Sequence, residues 1–228
     1  MALVEYPPLQ PNNWIRSIKA QVPHKFLRDI GNRLSYGADA PQSDETLYIC
    51  PRDVTRRYVS QPQNGAPAFQ RRHSGLIKSG DWDLSTQPLE SHPKYAACRA
   101  HWIDGLSWEE TGIFDRHMGQ IARKGKADGC RTLDEVRARY ARLDQLFNKV
   151  RDQGYLDRRC DLDGYFRREY GGIVVHFDRN CRPLRSLDGE HRFMIAHILD
   201  LCQVPVQVGV VHSDAVTSGA YPALRQSL

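Results

Sequence analysis

Ile173-Val174-Val175-His176-Phe177, Asp178-Arg179-Asn180-Cys181, Arg182-Pro183-Leu184-Arg185-Ser186-Leu187, Asp188-Gly189-Glu190-His191-Arg192 and the run to His212 form the stretch on which the fold turns. The first five residues are short, apolar and β-branched at the start, the pattern of a strand. Asp178 to Cys181 supplies turn residues for a hairpin, and Arg182 to Leu187 returns as the second strand. Asp188-Gly189-Glu190 breaks the pattern. From His191 the apolar residues Ile195, Ile198, Leu199 and Cys202 recur at three and four, so a helix starts near Gly189. Val204 to Val211 is a strand again, with Pro205 near its start, where a missing N–H is tolerated.

The chemistry is expected at Asp188 to Arg192. Gly189 lets the backbone pass close to a ligand. The first N–H groups of a helix have no partner inside it and attract an anion. Arg192 adds a forked cation suited to phosphate, His191 a second donor, and Asp188 a carboxylate able to bind a metal or accept a proton. The plain alternative is that Asp188 caps the helix and Arg192 forms a surface ion pair.

The order strand, turn, strand, G-x-H-R loop, helix, V-P-V strand resembles the core of the ParB/sulfiredoxin superfamily. Ser186-Leu187-Asp188-Gly189-Glu190-His191-Arg192 and Val204-Pro205-Val206 carry the resemblance. It covers about 40 residues strongly and reaches weakly into the preceding helix. In that family the loop holds the phosphates of a nucleotide, which implies that Ser186, Gly189, Glu190, His191 and Arg192 bind ATP or another nucleotide. Two departures narrow the reading. Sulfiredoxin has its catalytic Cys where this chain has Glu190, so sulfinic acid reduction by that route is not expected. Partition proteins carry G-E-R-R and a DNA-reading domain after the core, whereas here His191 stands third and the sequence ends shortly after His212. The D-G-x-H-R form is most similar to the small-molecule (serine) kinase branch.

Gly80-Asp81-Trp82-Asp83 is the second stretch of interest. In an extended segment Asp81 and Asp83 share a face, and paired carboxylates suit Mg²⁺ with phosphate oxygens. Either could instead act as the base toward a hydroxyl. The plain reading is an exposed turn with Trp82 in the core. Glu90 and His92 are weaker candidates. Arg56, Arg57, Arg71, Arg72 and His73 form two small basic clusters around a Gly/Pro/Gln loop. They read as solvated surface, with a phosphate or nucleic-acid contact as the alternative.

Elsewhere the chain is that of a globular protein. It has 228 residues and a net charge of +5, with a mean hydropathy of −0.58. No apolar run is long enough for a membrane span, and no secretory signal is visible at Met1 to Pro8, so the expected compartment is the cytoplasm with no membrane partner. The modest charge permits a nucleic-acid partner without implying one. Six widely spaced cysteines, with no C-x-x-C, read as free thiols. A helix is expected through Trp14 and on to Ile30, ended by Gly31 or Gly37, with Gly37 to Glu45 a loop and Thr46 to Cys50 a strand. A helix is expected from His92, with a break at Asp104-Gly105 and a capping box at Ser107 and Glu110. Trp102 and Trp108 are expected to be core anchors. Gly119 to Gly129 reads as a plain solvated loop, with Arg123, Lys124 and Lys126 as a mobile basic segment closing over phosphates as the alternative. Thr132 to Gln153 is the clearest helix, with a capping box at Thr132 and Glu135 and one apolar stripe. Residues 155 to 172 read as polar loop and 213 to 228 as a partly disordered tail.

The expected architecture is α+β: an N-terminal arm over 1–45, a small mixed sheet of ParB/sulfiredoxin type over 46–212 with a helical insertion near 92–153, and the tail. The expected function is nucleotide-dependent phosphoryl transfer to an unidentified hydroxyl acceptor, with Mg²⁺ at Asp81 and Asp83 and with Asp188, Asp81 or Asp83 as the catalytic carboxylate. The alternative is a non-catalytic ParB-like module binding nucleotide or DNA. A ParB-like nuclease is a third reading.

Overall fold

A computed structural model describes residues 21–158, 161, 172–186 and 188–226. The fold is mixed α+β. In chain order the elements are α1 (Val22–Tyr36), β1 (Thr46–Ile49), β2 (Arg56–Tyr58), β3 (Leu76–Lys78), β4 (Thr86–Pro88), α2 (Pro93–Trp102), α3 (Ile113–Lys124), α4 (Leu133–Gln153), β5 (Ile173–Phe177), β6 (Pro183–Arg185), α5 (Glu190–Ile198), β7 (Val204–His212), α6 (Ser213–Thr217) and α7 (Ala220–Gln226).

The seven strands form one sheet in the order β1-β7-β5-β6-β2-β4, with β3 also paired to β7. All nine residues of β7 are buried. One flank of β7 pairs with β5 in parallel. The other is shared end to end, antiparallel to β1 over Val204–Gln207 and parallel to β3 over Val210–His212. β5 and β6 are antiparallel, β6 and β2 parallel, β2 and β4 antiparallel.

The β5–β6 turn is closed by Asp178, whose carboxylate accepts from the Asn180 and Arg182 N–H groups at 2.8 and 2.7 Å. Cys181 takes the left-handed conformation in that turn, with φ 60°. Register between β5 and β7 slips between Val175 and Phe177. The extra residue falls on β7 at Gly209-Val210, a bulge.

The sheet has two packed faces. Alternation puts Ile173, Val175 and Phe177 of β5 in the larger core, with Val204, Val206, Val208 and Val211 and the buried sides of α2 to α7. The opposite face carries a smaller cluster of Tyr58, Ala66, Phe69, Trp82, Leu184 and Val210. His176 points to this second face, where the rings of Tyr58, Phe69 and Trp82 meet it edge-on.

Several expectations need correction. Strands β2, β3 and β4 extend the sheet beyond the small one anticipated. They are three residues each and carry no alternating pattern to read. Gly119 to Gly129 is not a plain loop: residues 113–124 form α3, which buries Ile113, Phe114 and His117 and ends at Gly125 in the left-handed conformation. The tail forms α6 and α7, not disorder, because Tyr221 is fully buried and its hydroxyl bonds Glu45 at 3.2 Å. Helix α1 ends at Tyr36 with Gly37 as its C-cap, the second of the two expected stops, while Trp14, Ile15 and Ile18 lie outside the described residues. So do Arg159, Arg167, Arg168 and Cys160. The other five cysteines are free thiols. Trp108 is buried, and both it and Trp102 donate to Asp144, at 2.9 and 3.0 Å. The box at Ser107 and Glu110 forms in both directions, but in a turn. Thr132 caps α4 by accepting from Glu135 N–H at 3.2 Å. No helix among the described residues is long and apolar enough to cross a membrane.

Candidate functional site

The loop between β6 and α5 is tied to the sheet from below. Gly189 has φ 71°, and a Cβ there would lie 2.7 Å from both the Gly172 carbonyl oxygen and Ile173 Cα. Glycine is thus required by backbone packing against the start of β5, whatever binds above it. Gly189 is also the N-cap of α5, and no side chain caps the helix. Asp188 instead forms an ion pair with Arg71 at 2.7 Å.

Arg185 holds the loop from inside. It is 4% exposed, and its guanidinium donates to the carbonyls of Val174 at 2.9 Å, Ser186 and Asp188. It also lies over the Phe193 ring. Burial pushes its pKa down to about 10, with Glu190 and Asp188 opposing. Among the described residues no carboxylate bonds it directly, and its Nε finds no acceptor.

Glu190 faces His92 at 2.8 Å and Lys94 at 2.9 Å, and Lys94 also meets Asp128 at 2.6 Å. Burial alone would raise the Glu190 carboxyl. The His92 hydrogen bond and the Lys94 charge outweigh it and hold the group well below the usual carboxylate range. Behind it His117 bonds the Tyr140 hydroxyl at 2.9 Å.

Two clefts flank this loop and share Ser186. The first, about 330 Å³, is lined by Phe69, Gln70, Arg71, Arg72, Val174, His176, Ser186 and Asp188. The second, about 250 Å³, is lined by Arg57, Tyr58, Leu89, His92, Lys94, Arg185, Ser186, Glu190, Phe193 and Met194. Arg57 Nε, like Arg185 Nε, is buried there without an acceptor.

Ser186, Asp188 and Glu190 therefore line clefts, as a binding role requires. His191 and Arg192 line neither. His191 is buried edge-on against Tyr140, and burial, with Lys94 and Arg139 nearby, lowers its pKa to about 4. Arg192 donates to the Asp157 carbonyl.

Asp81 and Asp83 are not brought to Asp188. They sit in a 3₁₀ turn, not an extended segment, with Asp83 buried and Asp81 exposed. Both bind Arg179, at 2.7 and 2.8 Å, beyond the far end of β5 from Gly189. Arg179 also donates its backbone N–H to Asp83 at 3.1 Å. Mg²⁺ at this pair would have to displace the guanidinium. Among the described residues no three His, Cys, Asp or Glu side chains gather to hold a metal ion.

The residues the motif did not reveal are Arg57, Arg71, Arg72, His92, Lys94, His176 and Arg185. The basic clusters at 56–57 and 71–72 were the available signal, and they line the two clefts through Arg57, Arg71 and Arg72. Compared with known proteins, the chain matches no family model, no curated protein and no solved structure.

Proposed function

We propose that this chain is a nucleotide-dependent phosphotransferase whose phosphate site is the second cleft. The observation that carries this reading is the pair of buried guanidinium Nε donors, Arg57 and Arg185, without acceptors in one cleft that contains a single carboxylate, Glu190. A buried donor without a partner costs free energy that an anionic ligand recovers. The first turn of α5 adds its N–H groups and dipole. Phosphates of ATP or a similar nucleotide would rest on Arg57, Arg185, His92 and Lys94. The acceptor hydroxyl would enter from the first cleft, and Asp188, which lines that cleft near the shared Ser186, would take its proton. Catalysis is then positioning and charge neutralisation. The likeness of the loop and the following strand to ParB/sulfiredoxin cores supports the same assignment. No step is assigned to Mg²⁺, since Arg179 holds the carboxylates expected to bind it.

The test is a thermal-shift panel of ATP, ADP, CTP, GTP and a short DNA duplex on the wild type and on Arg57→Ala. A ligand that binds only the folded state must raise the midpoint. Stabilisation by a nucleotide, lost in the variant, is the expected result. Stabilisation by DNA alone, falling steeply with salt, would replace this reading with that of a binding module. No shift from any nucleotide would end it.

A further inference from the structure

The first cleft holds a donor that the phosphate site does not use. His176, the fourth of the five residues of β5, is 2% exposed. The bulge at Gly209-Val210 releases the Val210 N–H from the ladder, and it donates to His176 Nδ1 at 2.9 Å. Nδ1 is therefore the unprotonated nitrogen, and a neutral ring must carry its hydrogen on Nε2. Burial, with Arg185 and His73 nearby, lowers the pKa to about 3, so the ring is neutral at working pH. Nε2 has no hydrogen-bond partner among the described residues. The rings around it, Tyr58, Phe69 and Trp82, stand at centroid distances of 5.4, 5.1 and 6.0 Å. His176 is one of the side chains lining the first cleft, together with Arg71 and Arg72. The cleft has one carboxylate, Asp188, already answered by Arg71.

We infer that His176, Arg71 and Arg72 form an oxyanion subsite, so the molecule entering the first cleft carries a carboxylate or a phosphate group of its own. A neutral N–H at the floor and guanidinium groups at the wall are the donors an oxyanion takes. The sheet makes room for this ring. A Cβ at position 209 would lie 2.2 Å from His176 Nδ1, so Gly209 is what lets the imidazole lie against β7. The subsite stands on this geometry, and it rests on the phosphotransfer reading only for its occupant being the acceptor.

The test is a long-range ¹H–¹⁵N spectrum of the histidine-labelled protein, titrated separately with inorganic phosphate, pyrophosphate and glycolate. His176 is assigned by its loss in His176→Phe or, if that variant does not fold, by its Nδ1 contact with the Val210 amide. Saturable movement of the His176 Nε2 signal is expected, and the probe that moves it, phosphate or glycolate, names the group. Arg72→Ala, at an exposed position, should weaken that probe about tenfold or more. A silent Nε2 with every probe, or an affinity unchanged in Arg72→Ala, would overturn the inference. The two readings separate in a parallel ATP titration. ATP binding with a silent Nε2 removes the subsite alone. Saturable probe binding at Nε2 without any nucleotide binding removes the phosphotransfer reading and leaves the subsite.

Discussion

Arg71 and Asp188 meet at 2.7 Å beside Ser186, the residue common to both clefts. The carboxylate proposed as the base is thus held by a cation before any substrate arrives. Asp188→Asn keeps the shape and removes the base. It should lower kcat by about 10²- to 10⁴-fold while nucleotide affinity changes little. Calorimetry and turnover on the same preparation check this, and equal losses in both would deny Asp188 the role of base.

Arg185 is a buried cation solvated by backbone. Replacing it with methionine leaves the carbonyls of Val174, Ser186 and Asp188 without their donor. The expected loss is about 2–4 kcal/mol in urea unfolding. Arg185→Lys keeps the charge but not the fork, and should retain stability better than affinity. A methionine variant as stable as the wild type would contradict this account of the loop.

Acid should unfold the protein through its buried histidines. His176 and His191 have folded pKa values of about 3 and about 4, against an ordinary 6.5. Between the two states' values the unfolded chain binds more protons, so stability falls as pH drops below about 6.5. The loss ends only below the folded values. Each histidine contributes a slope of about 1.4 kcal/mol per pH unit in that window. Glu190, whose folded pKa is depressed, adds a further loss in the range below the ordinary carboxylate value. Urea midpoints at pH 7, 6 and 5 should fall, and His191→Phe should make the slope shallower. A flat profile would mean that these rings are not buried neutral.

Gly209→Ala places a methyl 2.2 Å from His176 Nδ1. The expected cost is about 1–3 kcal/mol. With His176→Ala in the background the combined loss should fall short of the sum of the two, because the ring contact is gone and only the Val175 carbonyl oxygen, 2.9 Å from the methyl, still crowds it. Additive losses would show that Gly209 serves some other contact.

Arg179, Asp81 and Asp83 form a clamp at the far end of β5. Asp83→Asn should lower the thermal midpoint and leave nucleotide binding intact, and Asp81→Asn should change neither appreciably. Loss of Mg²⁺-dependent activity at unchanged stability would restore the pair as a metal site.

The central hairpin, α4, α5 and β7 were legible because each carries its own period: β-branched runs in β5 and β7, spacing of three and four in the helices. Strands β2, β3 and β4 were not, since three residues such as Arg56-Arg57-Tyr58 hold no period and are strands only because β6 offers β2 a partner, β7 offers one to β3 and β2 in turn offers one to β4. The loop at Asp188 to Glu190 was found from its glycine. The assignment of His191 and Arg192 as its donors missed how α5 enters the core, since position 191 turns inward toward Tyr140. His176 was read only as a strand residue. Its setting depends on a bulge in a strand more than 30 residues later, which no local pattern records.

The way the sheet ends has a bearing on how this protein behaves in a crowded solution. Its rims are β4 on one side and β1 with β3 on the other, three or four residues each, and β4 closes on Pro88. A rim that short, with a residue lacking an N–H at one end, gives a foreign strand little to copy. The long apolar strand that would nucleate stacking, β7, is enclosed by neighbours along both sides. Among the described residues, a strand added at a rim of this sheet would find only three or four residues to pair with.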